Sequence, residues 1–180
     1  MTECIALLRG INVGRAKRIA MADLRALLVD LGQQNVRTLL NSGNVLFQST
    51  RPSVAKLALT IQEAIRDTFG LSVSVAVITA TDLECITRDN PLLHVAKDPA
   101  KHLVAFVTHS RSLVPLRSLL EESWAPDAIA VGSRAAYLWC ANGVLASKLV
   151  QVVAHRSGET VTTRNWGTVL KLLAASNAGA

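Results

Sequence analysis

Aromatic residues make up only 4% of this 180-residue chain, cysteines number three, and no apolar run is long enough to cross a bilayer. Each scarcity excludes something. Cys4, Cys85 and Cys140 are odd in number and widely spaced, with no CxxC and no Cys/His cluster, so neither a disulfide framework nor a structural zinc site is expected. The phosphate-binding pattern GxxxxGKS/T and the dinucleotide pattern GxGxxG are both missing. His94, His102, His109 and His155 are dispersed, without metal-ligand or triad spacing, and are assigned to surface or capping roles. No metal and no cofactor is expected. The opening Met1-Thr2-Glu3-Cys4 carries an acid and no basic stretch, which argues against a signal peptide and for a soluble, cytoplasmic protein with no membrane partner. An RNA-recognition sheet needs aromatics on its central strands, and Phe47 alone is available.

Half of the residues are hydrophobic and 18% are charged, a balance that supports a substantial core. Cys4–Leu8 reads as a buried strand. Met21, Leu24, Leu27, Leu28 and Leu31 recur at helical spacing before Gly32. Val36–Leu40 and Val45–Gln48 are strand-like runs separated by Asn41-Ser42-Gly43-Asn44, a hairpin signal. Pro52 suits a first helical residue, Val54, Leu57, Ile61, Ile65 and Phe69 continue one face, and Leu71–Ile78 alternates as a strand. The order is β-α-β-β-α-β, a ferredoxin-like unit.

The second half repeats that order more faintly. Thr81-Asp82-Leu83-Glu84 reads as a capping box opening a connecting helix. Leu103–Thr108 is a strand, and Leu113, Leu116, Leu119 and Leu120 mark a helix whose Glu121-Glu122 pair faces solvent. Ala128–Val131 and Ala136–Cys140 flank a Gly-Ser-Arg turn. A helix is expected after Gly143 through Leu145, Leu149, Val152 and Val153, then a short strand at Thr160–Thr163 and a terminal helix anchored by Trp166, with residues 176–180 frayed. The expected fold class is therefore α+β, tandem ferredoxin-like (βαββαβ twice) with a C-terminal helix. Its parts are residues 1–80, a connecting helix and linker over 81–98, and residues 99–180.

Net charge is +6. Residues 1–80 hold nine Lys and Arg against five Asp and Glu, and Arg9, Arg15, Lys17 and Arg18 follow one another with no acid between them. Such a loop attracts phosphates or acidic ligands, and it leaves a nucleic-acid backbone open as a partner without base stacking. Four polar segments exceed what the fold needs: Arg9–Gly14, Asn41–Asn44, Ser147-Lys148 inside a helix, and Thr162–Trp166 opening the last helix. Thr163 is a plausible N-cap there, and an anion could sit at that helix start.

These segments also carry a resemblance. Leu7 to Gly14 with its Arg-Gly-Ile-Asn-Val-Gly core, Asn35 to Thr38, Ser42-Gly43-Asn44-Val45 with Phe47, Ser147-Lys148-Leu149, and Thr162-Thr163-Arg164-Asn165-Trp166 resemble the bacterial family called domain of unknown function 1697. The resemblance implies a cytoplasmic bacterial protein of tandem ferredoxin-like fold, and it implies no established activity. Arg15 stands where the family usually has a second glycine, whereas Arg9, Asn12, Ser42, Asn44, Lys148, Arg164 and Asn165 are intact.

Three functional readings follow. In the first, those seven residues bind a phosphorylated or otherwise anionic ligand: Arg9, Lys148 and Arg164 supply charge, and Asn12, Asn44, Asn165 and Ser42 orient it. In the second, the polar segments only hold the structure together. In the third, the chain is a small hydrolase of acylphosphatase type, with Arg15 and Asn41 as the nearest analogues of its phosphate-cradling arginine and water-positioning asparagine.

Overall fold

The computed structural model describes residues 1–14, 17–50, 53–107 and 109–178. Arg15, Pro52, Thr108 and the last two residues, all invoked above, lie outside that set. The chain divides into two units, Met1–Thr81 and Asp82–Ala180.

In the first unit, β1 (Thr2–Leu8) is followed by α1 (Met21–Asp30), β2 (Gln34–Leu39), β3 (Asn44–Ser49), α2 (Val54–Phe69) and β4 (Val75–Thr79). The sheet order is β2-β3-β1-β4, with every neighbour antiparallel. β1 is central, and Ile5 to Leu8 are wholly buried, which is why the strand reads as an unbroken apolar run. Cys4, Ala6 and Leu8 share a face with Val45, Phe47, Val75 and Val77. That face packs on Leu24 and Leu28 of α1 and on Leu57, Ile61 and Ile65 of α2. Phe47 is therefore a core side chain and is not available to stack on a base. α2 starts at Ser53, whose Oγ accepts the Lys56 N–H at 3.3 Å, and stops at Gly70 in the left-handed region.

Two expectations for this stretch need correction. The alternation over Leu71–Ile78 marks burial, since Val73 is 1% exposed, but ladder pairing begins only at Val75. Thr81 does not cap the connecting helix: α3 (Ala80–Arg88) follows β4 directly, and Thr81 lies in its first turn.

In the second unit, β5 (His102–Val107) leads to a short helical run, then β6 (Ala128–Val131), β7 (Ala135–Trp139), α5 (Lys148–Ser157), β8 (Val161–Asn165) and α6 (Trp166–Asn177). The run comprises a 3-10 turn at Ser110–Leu113, α4 (Val114–Arg117) and a second 3-10 turn at Ser118–Glu121. Leu113, Leu116 and Leu119 are buried at intervals of three, the repeat of a 3-10 helix, so the leucine stripe is satisfied without one continuous α-helix. The sheet order β6-β7-β5-β8, again antiparallel throughout, reproduces that of the first unit. Leu103, Ala105 and Val107 pack with Leu116 of α4 and with Leu149 and Val153 of α5 on one face. α6 packs on β5 and β8, burying Val169 and Leu172.

The helix expected after Gly143 is two elements. Val144–Ala146 is a 3-10 turn whose Leu145 is 96% exposed, and α5 proper begins only after Ser147. The last strand extends to Asn165, so Thr163 lies within β8, and Asn165 is the cap of α6. α6 continues to Asn177, with Ser176 buried, where fraying had been expected from residue 176.

Candidate functional site

In the first unit, the loop after β1 and the β2–β3 hairpin tip are bound to each other. The Leu8 N–H donates to the Gly43 carbonyl at 2.8 Å, and the Arg9 N–H donates to the Ser74 carbonyl at 2.9 Å. A Cβ on Gly43 would lie 2.7 Å from Leu8 Cβ and 2.8 Å from Ile11 Cδ1, at a φ of +78°, so only glycine fits that contact. Asn12 occupies the left-handed region (φ 57°) and uses its whole amide. Its Nδ2 donates to the Ile19 carbonyl (2.9 Å) and the Asn41 carbonyl (2.8 Å), while Oδ1 accepts the Ile19 N–H (3.0 Å). Asn44 is wholly buried and donates to the Leu39 carbonyl (2.8 Å) and to Ser42 Oγ (3.0 Å). Arg9 is half-buried and Ser42 exposed beside them. The structure thus brings Arg9, Asn12, Ser42 and Asn44 to one end of this sheet, with both asparagines engaged in closing it. Lys17 and Arg18 each turn back onto backbone, donating to the Ser72 carbonyl (2.8 Å) and the Gly14 carbonyl (3.0 Å).

In the second unit the candidates separate. Arg164 stands opposite Val104 in the β5–β8 register, on the face away from Leu103 and α5. It is buried, donates to Thr162 Oγ1 (3.1 Å) and the Thr163 carbonyl (2.9 Å), and burial pushes its guanidinium down to about 10. Asn165 is exposed, and its Oδ1 accepts the Thr168 N–H at 2.8 Å, as an N-cap does. Lys148 opens α5 on the opposite face of the sheet, so it and Arg164 do not form one site.

Lys148 lines a cleft of about 450 Å³, inside the range of roughly 300–1,000 Å³ typical of small-ligand pockets. Ser147 caps α5 from the cleft's floor: its Oγ accepts the Val150 N–H (3.2 Å) and donates to Asp127 Oδ2 (2.7 Å). Asp127 Oδ1 accepts the Ala141 N–H at 2.9 Å, so both carboxylate oxygens are occupied. On the rim, Arg156 pairs with Glu122 at 2.9 Å and donates to Ser118 Oγ at 2.7 Å. Trp124 and Val152 are the half-buried apolar residues of the cleft, and the Trp124 indole N–H donates to the Leu119 carbonyl at 2.8 Å, which fixes the ring. The Lys148 ammonium is exposed, and among the described residues it has no hydrogen bond or ion pair.

Trp124, Asp127 and Arg156 had no sequence signal beyond lying in polar connectors or on a helix face. His102 was also missed. Expected in a surface or capping role, it is wholly buried and stacks on Trp166, with ring centroids 5.0 Å apart and planes 16° from parallel. Asn90 Oδ1 accepts the Leu92 N–H (3.0 Å), which turns Asn90 Nδ2 toward His102 Nε2 (3.2 Å). Nε2 must then accept, and the proton resides on Nδ1, which has no partner among the described residues. Burial lowers the His102 pKa and favours this neutral ring. Among the described residues, no group of three or more His, Cys, Asp or Glu is arranged to hold a metal ion, and no helix is long and apolar enough to cross a membrane.

A family model described as "Protein of unknown function (DUF1697)" matches residues 1–137. Among solved structures, the chain is similar to a conserved bacterial protein from Streptococcus pneumoniae, at 24% identity and a TM-score of 0.80 over 97% of this chain and 98% of that one. No curated protein matches it.

Proposed function

The chain belongs to the DUF1697 family of proteins of unknown function, and from that starting point we propose that it is a binding module whose second unit takes a small anionic ligand in the cleft at the start of α5. The observation that carries this reading is a ligand-sized cleft bearing one exposed ammonium, Lys148, that is in no ion pair among the described residues. Helix polarity adds to it, because the first-turn N–H groups and the positive end of the helix dipole lie beside that ammonium. The shared strand order of the two sheets supports reading both units as ferredoxin-like. Cys4, Cys85 and Cys140 form no disulfide with one another, which supports a cytoplasmic setting.

Asn12, Asn44 and Asn165 we assign to the fold, since their side-chain amides close a loop, a hairpin and a helix start. A nucleic-acid backbone is the weaker partner, because Lys17 and Arg18 are drawn onto backbone carbonyls of their own unit. The acylphosphatase-type alternative rests on Asn41, whose carbonyl already accepts from Asn12, and on Arg15.

Calorimetric titration of the full chain at low salt tests the reading, using acetate, orthophosphate and chloride as probes. Saturable binding of acetate or phosphate, lost in Lys148→Met and weakened by added salt, is the expected result. Equal binding by the wild type and Lys148→Met, or none by either, would remove the cleft from consideration.

A further inference from the structure

Resting on that reading, we infer that the cleft selects a monoanionic aryl carboxylate, a flat apolar body with a single carboxylate head, over phosphate esters and over small anions without a ring. The charges of the cleft set the first half of this preference. Lys148 and Arg156 bring two positive charges, and Asp127 and Glu122 bring two negative ones. Glu122 is met by Arg156, while Asp127 is held by the Ser147 hydroxyl and the Ala141 N–H and is in no ion pair among the described residues. A phosphate monoester carries roughly −1.5 to −2 at neutral pH and would face Asp127 with only Lys148 to answer it. A carboxylate carries one charge and needs one ammonium.

The wall sets the second half. Trp124 lines the cleft with its N–H already bonded to Leu119, so the indole offers a fixed apolar surface and no further donor. Val152, half-buried, extends that surface, while Leu149 lies beneath it in the core. A planar ring laid on the Trp124 face would make offset-stacked contact, while acetate leaves that wall wet. The volume of about 450 Å³ accommodates a bicyclic ring with its carboxylate and excludes nothing smaller. Selection therefore comes from contact and charge, not from size.

The test is a set of titrations of the full chain with 2-naphthoate, 2-naphthyl phosphate and acetate, followed by calorimetry and by tryptophan emission. Naphthoate is expected to bind at least about tenfold more tightly than acetate, the scale of a good aromatic contact with its buried area, and more tightly than naphthyl phosphate. It should quench part of the emission. Trp124→Phe should keep the affinity within a few-fold and abolish the quenching, because a ring remains and the fluorophore does not. Trp124→Leu should reduce naphthoate binding toward that of acetate, and the Phe variant guards against a loss due only to misfolding. If acetate or phosphate binds in a Lys148-dependent way but naphthoate gains nothing, or naphthyl phosphate binds more tightly, the ligand class proposed here is overturned while the anion-binding reading stands. If no anion binds, both fall together.

Discussion

Replacing Asn12 with alanine removes three hydrogen bonds and places an ordinary side chain in the left-handed region. The bonds run to the Ile19 carbonyl and N–H and to the Asn41 carbonyl, and all lie between 2.8 and 3.0 Å. A typical bond contributes about 0.5–1.5 kcal/mol net, and these are partly exposed, so together they account for about 2 kcal/mol. The backbone adds about 1 kcal/mol, because alanine tolerates a φ of 57° less well than asparagine does. Urea unfolding of Asn12→Ala should therefore show a loss of about 3 kcal/mol. Asn12→Gly loses the same bonds without the backbone strain and should be more stable than the alanine variant by about 1 kcal/mol. Both should leave anion binding by the folded protein intact. An Asn12→Ala protein that unfolds within about 0.5 kcal/mol of the wild type, or alanine and glycine variants that coincide, would refute these roles for the Asn12 amide and backbone.

Gly43→Ala should cost about 2–4 kcal/mol in the same assay, since its Cβ would meet Leu8 Cβ at 2.7 Å in a conformation alanine disfavours; a neutral change would mean that the hairpin tip is free to move. His102 has a folded pKa lowered from 6.5 by burial, so its contribution to stability is complete above that value. As pH falls below 6.5, the unfolded chain takes up a proton that the folded ring refuses, and stability declines until the folded pKa is passed. His102→Phe should flatten this slope, and parallel pH–stability curves for the two proteins would exclude the effect. Thiol titration of the native protein should label Cys85 first, because Cys4 and Cys140 are buried and burial also raises the Cys140 pKa; equal labelling rates would contradict that order.

Strands and helices with buried faces were legible where local pattern and tertiary need agree. β1 is an apolar run because it is central, and α2 shows a clear stripe up to a glycine stop, although its serine cap, Ser53, was not read from the sequence. Legibility failed where a local signal had two physical solutions. Leu145 looks like part of a helical face and is solvent-exposed, because Ser147 rather than Gly143 supplies the cap. Asn12 and Asn44 were singled out as polar groups in excess of the fold's needs, and the structure engages both amides in holding the loop and the hairpin. Sequence cannot say whether an amide serves a ligand or its own chain, since both uses present the same donors and acceptors. His102 gave no sign at all: its burial depends on Trp166 and Asn90, which are distant in sequence.

Asn165 ends β8 in register with Leu103, and in the same residue it caps α6 through the Thr168 N–H. Strand and helix are thus joined without a single spare residue. One inserted residue would turn everything beyond it by about 100° and advance it by about 1.5 Å, carrying Val169 and Leu172 off the sheet they now cover. At this joint the chain can vary in chemistry but not in length, whereas the Gly132–Arg134 turn could lengthen at little cost. Changes in length among sequences that share this fold should therefore collect at such turns and avoid the junction between residues 165 and 166.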